Sequence, residues 1–180
     1  MKLWKKLMAC TLAAVLALGV LTGCGQKVVM TEAFIDMVNR NLAQYYYITE
    51  DGVNVTGSSL KLTEGGAYSQ EAVALRDKLV AAYQNWLKTD PIMYDNEPEI
   101  DDIIKEMQLS EDYIACAYAS KGSKDLVAIQ EDLNEVADDF GDGICDALDY
   151  TNKTATTVTV AEKQVDGWYY LVAVTKVVNK

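Results

Sequence analysis

Apolar positions along the chain change period several times, and those changes predict the elements. Phe34, Ile35, Val38, Leu42, Tyr45 and Tyr46 recur at three and four residues. That is the spacing of one helix face, so a first helix is expected over residues 31–47. Thr31 is placed to cap it, and Glu32 falls in its first turn. Residues 53–63, VNVTGSSLKLT, alternate apolar and polar about Gly57 and Ser58 and predict a small hairpin. A second helix is expected from about Ser69 to about Lys88, with Val73, Leu79, Val80, Tyr83, Trp86 and Leu87 as its stripe. TDPIMYDNEP ends it. Pro98 then suits the first turn of a third helix carrying Ile100, Ile103, Ile104 and Met107.

Ser110, with Glu111 and Asp112 behind it, can cap a fourth helix. YIACAYAS sets Tyr113, Ile114, Ala117 and Tyr118 on one helical face; it also alternates as a strand, and its alanines favour helix. The longest periodic stretch opens at Ser123. Leu126, Ile129, Leu133, Val136, Phe140, Ile144 and Leu148 follow one another at steps of three or four and predict a fifth helix. Two strand-like runs close the chain, TATTVTVAEKQV and WYYLVAVTKVV, joined by Asp166-Gly167, a strong hairpin dipeptide. In that register Val160 faces Ala173 and Val158 faces Thr175. A lone hairpin is marginal in water, so its apolar face must lie on the helices or extend the 53–63 hairpin. The expected fold is α+β: about five helices packed on a small antiparallel sheet ending in a C-terminal β-hairpin, as one domain over residues 31–180.

The start of the chain has a different character. MKLWKK is basic, LMACTLAAVLALGVL is apolar, and LTGC ends the run at Cys24. This is the layout of an export signal. Residues 7–21 are also short of the ~20 apolar residues a spanning helix needs. LTGC resembles the lipobox of bacterial lipoproteins. The resemblance implies removal of residues 1–23 as a signal peptide and lipidation of Cys24. Residues 24–30 would then form a short lipid-anchored linker, and the domain would lie at the cell membrane, facing outside the cytoplasm. Two or three acyl chains would make that anchor stable.

Two further resemblances concern the domain. DGWYYLVAVT resembles the closing strands of small ligand-holding domains of the NTF2/cystatin type, found in exported lipoproteins. Residues 110–178 also resemble a family of small Gram-positive lipoproteins of unknown function, in which EDYIACAYASKGSKDLVAIQ would be two strands. Neither carries an activity with it.

Charge and composition narrow the function. The chain carries a net charge of −11, and three of its 16 basic residues lie in the leader. A domain this acidic is not expected to bind nucleic acid, and its own charge does not favour an anionic surface. A cation or a basic protein is the partner such charge could draw. There is no histidine, which removes Ser-His and Cys-His nucleophile activation and the common zinc ligand sets.

DDFGDGICDALDY, residues 138–150, poses the main chemical question. Asp138, Asp142, Gly143, Asp146 and Asp149 fall at positions 1, 5, 6, 9 and 12 of a calcium loop. Phe140 stands where position 3 needs an oxygen ligand. Phe140, Ile144 and Leu148 also keep the phase of the preceding stripe, which a loop would break. A continuous helix is therefore expected, with Gly141 and Gly143 costing ~1 kcal/mol each relative to alanine. Nine acids and no base lie between Asp125 and Asp149. They form either a solvated outer face or a surface for divalent cations such as calcium, or for a basic partner.

Cys116 and Cys145 are expected as separate, buried free thiols. On two helices turning at Gly122 they would lie ~9 Å and ~34 Å from the turn, too far apart to bridge. Tyr47, Trp86 and Tyr94 are candidates for a ligand groove, although helical spacing makes most of the aromatics core residues. No pair of carboxylates singles itself out for catalysis. The leading expectation is a non-enzymatic, membrane-anchored binding or envelope-associated domain. A cation- or small-ligand-binding module using residues 125–149 is the alternative, with a carboxylate-based hydrolase behind it.

Overall fold

A computed structural model of the protein describes residues 30–89, 97–121 and 126–180. Cys24, Tyr94 and the leader lie outside them. The architecture is mixed α and β, with four α-helices among the described residues rather than five. Among those residues, no helix is long and apolar enough to cross a membrane.

Helix α1 (Thr31–Leu42) buries Phe34, Ile35, Met37, Val38, Asn41 and Leu42. It starts one residue earlier than a Thr31 cap would require: Met30 is the N-cap, and the Thr31 hydroxyl binds Glu162 instead. It also stops short of residue 47. Tyr45 N–H closes a turn onto the Leu42 carbonyl, and β1 (Tyr46–Ile48) follows. There Tyr46 is exposed and Tyr47 buried, the alternation of a strand and not of a helix.

The expected 53–63 hairpin does not form. Strand β2 (Asn54–Thr56) pairs back onto β1 with Tyr47 opposite Val55. A 3₁₀ turn follows at Gly57–Ser59, pressed so closely on α1 that a Cβ on Gly57 would lie 2.0 Å from the Leu42 carbonyl oxygen. Asn39 holds the next segment by exchanging two 2.9 Å hydrogen bonds with the backbone of Leu62. Strand β3 (Thr63–Glu64) then runs parallel to the C-terminal hairpin.

Helix α2 (Ser69–Thr89) matches its expected span. Its buried line is Ala72, Leu75, Leu79, Val80, Tyr83 and Trp86, while Val73 is exposed. The short α3 (Ile100–Lys105) buries Ile103.

The larger correction is at β4 (Tyr113–Lys121), a strand where a helix was expected. It pairs with the last long strand over nine residues without a break. Alanine's intrinsic helix preference is a fraction of a kcal/mol per residue. Burial against a neighbouring strand and two helical layers outweighs it. Tyr113, Ala115, Ala117 and Ala119 turn to one side, and Ile114, Cys116 and Tyr118 to the other.

Helix α4 (Leu126–Leu148) is continuous through the calcium-like segment. Ile129, Leu133, Phe140, Ile144 and Leu148 are all buried, as their shared phase requires, and each fully buried side chain contributes about 1.5–3 kcal/mol. After the short β5 (Lys153–Thr154) come β6 (Thr157–Val165) and β7 (Trp168–Lys176), then β8 (Val178–Asn179) beside β5. The β6–β7 hairpin has the expected register, with Val160 opposite Ala173 and Val158 opposite Thr175. Asp166 and Gly167 both have positive φ, 49° and 78°, as a type I′ turn demands.

The main sheet has the order β3-β6-β7-β4. Its β3–β6 pair is parallel, so it is not purely antiparallel. Every residue of β7 from Trp168 to Thr175 is buried, because helices cover both faces. Helices α1 and α4 pack on one face with Tyr169, Leu171 and Ala173. Helices α2 and α3 pack on the other with Trp168, Tyr170, Val172 and Val174.

Candidate functional site

The acidic residues of α4 are used one by one. Asp138 is half-buried and accepts the Tyr45 hydroxyl at 2.9 Å. Asp149 accepts the Ile48 amide at 2.7 Å and fixes β1 against the helix end. Asp142 and Asp146 face solvent. The four do not converge on a point as calcium ligands must. Among the described residues no three His, Cys, Asp or Glu side chains are grouped so as to hold a metal ion.

The aromatic candidates are also kept apart. Tyr47 is buried in the α1/α4 layer, with the Lys180 ammonium 5.9 Å from its ring centre. Trp86 is buried across the sheet, where its ring lies 5.9 Å from Tyr83 and 6.1 Å from Trp168. These two rings pack separate cores and do not wall one groove. The structure does gather polar groups at a place the sequence reading missed, the hairpin end of the sheet. An open cleft of about 550 Å³ lies there, lined by Lys121, Gln164, Val165, Asp166, Gly167, Trp168 and Tyr169.

Beside the cleft, on the α1/α4 face, sits a set of buried polar side chains. Glu162 of β6 turns one oxygen to α1, accepting the Met30 amide at 2.9 Å and the Thr31 hydroxyl. This places a negative charge on the helix N-terminus, where the macrodipole favours it. The second oxygen, Oε2, is buried near the Tyr169 hydroxyl. The buried Tyr169 hydroxyl lies against Glu162, and the buried Ser120 Oγ against the Tyr118 hydroxyl. Nearby, the Tyr118 hydroxyl donates to Asp132 at 2.9 Å. Tyr169 belongs both to the cleft and to this set.

The electrostatics define what these groups can do. Burial, then the Glu162 charge and its hydrogen bond with the phenol, push Tyr169 far above its ordinary value. Burial does the same to Tyr118, with a Ser120 hydrogen bond opposing it and Asp132 reinforcing it. Both phenols are therefore neutral hydrogen-bonding groups at physiological pH. Ser120 has no histidine to activate it, since the chain contains none. The arrangement offers hydrogen-bond acceptors and donors. Buried polar atoms cost free energy unless they are satisfied, which favours the contacts these groups make with one another.

One signal for this site was present in the sequence. Val158, Val160 and Glu162 share one parity in β6, so a carboxylate falls on the face that two valines mark as core. Ser120 shares a face with Tyr118 only once residues 113–121 form a strand. Comparison with protein-family models, with curated proteins and with solved structures finds no match to this chain.

Proposed function

We propose that this chain is a lipid-anchored, extracytoplasmic binding domain that holds a small polar ligand at the hairpin end of its sheet and catalyses no reaction. The anchor rests on LTGC at Cys24 and the basic and apolar runs before it. The observation that supports the binding role is the buried polar set of Glu162, Tyr169 and Ser120 beside the open cleft that Tyr169 also lines. A ligand with an N–H or O–H donor suits Glu162, and one with an acceptor suits the neutral phenol of Tyr169. Trp168 lines the same cleft and supplies a fluorescent reporter.

The test is a fluorescence titration of the purified chain with small amines, amino acids and sugars. The proposal expects a saturable change with at least one class, lost or weakened about tenfold or more in Glu162→Gln, in keeping with loss of a charged hydrogen bond. Saturable binding unchanged in Glu162→Gln, or no saturation with any class at millimolar concentration, would count against it.

A further inference from the structure

The hairpin end of the sheet carries two charges that the fold does not use. In register, Lys121 of β4, Trp168 of β7 and Val165 of β6 stand side by side across three strands. Asp166 begins the turn beside them, and all four line the open cleft. Trp168 and Val165 lie on the α2/α3 face. Alternation along β4 sends Lys121 to that same side, with Ala117 and Ala119. Asp166 is close enough to Tyr170, also on that face, for its charge to act on the phenol. Several other lysines are engaged, Lys78 by Glu106, Lys153 by Asp112 and Lys163 by Asp77. Among the described residues, Lys121 and Asp166 join no ion pair, with each other or with a third group.

We propose that this cleft binds the zwitterion of a free amino acid, with Lys121 holding the carboxylate and Asp166 the ammonium. This rests on the binding role given to the cleft above and names its ligand class. Opposite charges within one cleft select by repulsion as well as by attraction. A bare cation would meet Lys121. A bare anion would meet Asp166, on a chain whose net charge is −11. A zwitterion gives each side chain its opposite charge at once. The cleft, at about 550 Å³, falls within the size range of small-molecule sites. Val165 and Trp168 give the ligand's side chain an apolar wall. Both charged residues are exposed, so salt screens their attraction and affinity should fall as ionic strength rises.

Calorimetric titration of the purified chain tests this with leucine and phenylalanine. Each is used free, as its amide, which lacks the carboxylate, and as its N-acetyl form, which lacks the ammonium. The free amino acids are expected to saturate at millimolar concentration or below, and each capped form to bind about tenfold more weakly. Lys121→Gln should remove the preference for the free acid over the amide, and Asp166→Asn the preference over the N-acetyl form. Asparagine suits the positive-φ turn position of Asp166, and Lys121 is exposed, so both variants should fold, which circular dichroism checks. The capped ligands test the same point on the wild-type chain. Capped forms that bind the wild-type chain as tightly as the free amino acids, preferences unchanged in both variants, or no saturation by either amino acid would overturn this assignment. A sugar or amine whose binding depends on Glu162 would in that case leave the binding role of the cleft standing.

Discussion

The Glu162 carboxylate, on the hairpin, accepts the Met30 amide at 2.9 Å across 132 residues of chain. One oxygen thereby caps a helix from outside it while the other is left for the buried polar set. Glu162→Ala removes the charged cap and is expected to lower stability by about 1–2 kcal/mol. Glu162→Gln keeps an acceptor for Met30 and is expected to lose less. Urea denaturation monitored by circular dichroism measures both, and equal losses would show that the cap does not depend on an acceptor there.

Tyr45 and Asp138 form a second long-range tie, and this one gives the fold a pH dependence. The hydrogen bond to Asp138 is the largest cause holding the Tyr45 phenol up at about 12, against an ordinary 10.0. The native state keeps this proton through a range in which the unfolded chain gives it up. Its contribution is thus fully present below pH 10.0 and is lost as pH rises towards 12. Tyr83, Tyr118 and Tyr169 are raised as well, chiefly by burial, and reinforce the trend. Denaturation midpoints should fall steadily over this window, with a shallower fall in Tyr45→Phe. Identical pH profiles for the two proteins would contradict the assignment.

The two glycines of the calcium-like segment differ from Gly57. A Cβ on Gly141 would meet the Leu42 side chain at 3.6 Å, and one on Gly143 would meet Ile114 at 3.6 Å, both ordinary contacts. Gly141→Ala and Gly143→Ala should each raise stability by about 1 kcal/mol through helix propensity. Gly57→Ala should lower it by about 1–3 kcal/mol, since its Cβ would collide with the Leu42 carbonyl. If residues 138–149 formed a loop in solution, the two helix substitutions would destabilise instead.

Cys116 and Cys145 are free, though not for the reason their spacing gave. They do not sit far apart on a helical hairpin; both pack in the α1/α4 layer, one from β4 and one from α4. Burial pushes the Cys116 thiol far up, and burial with Asp142 behind it pushes Cys145 up to about 11. The thiolate is the reactive form. Maleimide modification of the two corresponding peptides, followed by mass spectrometry, should run roughly a hundredfold slower in the native chain than in urea. Comparable rates would mean that these side chains are open to solvent.

Local signals were legible and long-range ones were not. The Asp166-Gly167 turn fixed the hairpin register from two residues, and the phase through Phe140, Ile144 and Leu148 revealed a continuous helix. Strand β4 exists because β7 lies beside it for nine residues, a partner about 55 positions away that alanine content cannot disclose. Tyr47 turned inward through pairing with Val55, again a tertiary cause. The polar site depended on both kinds of information. The parity of Glu162 in β6 was readable, whereas Ser120 joins it only through the misread strand.

The proposed lipid anchor at Cys24 would set where the domain sits. Labelled palmitate supplied to bacteria expressing the chain, compared with Cys24→Ser, measures it directly. The account predicts label on the wild-type protein, an N-terminus at Cys24, and neither in the variant. Equal labelling of both proteins, or an unlabelled wild-type chain that keeps its first 23 residues, would contradict a lipid-anchored domain facing outside the cytoplasm.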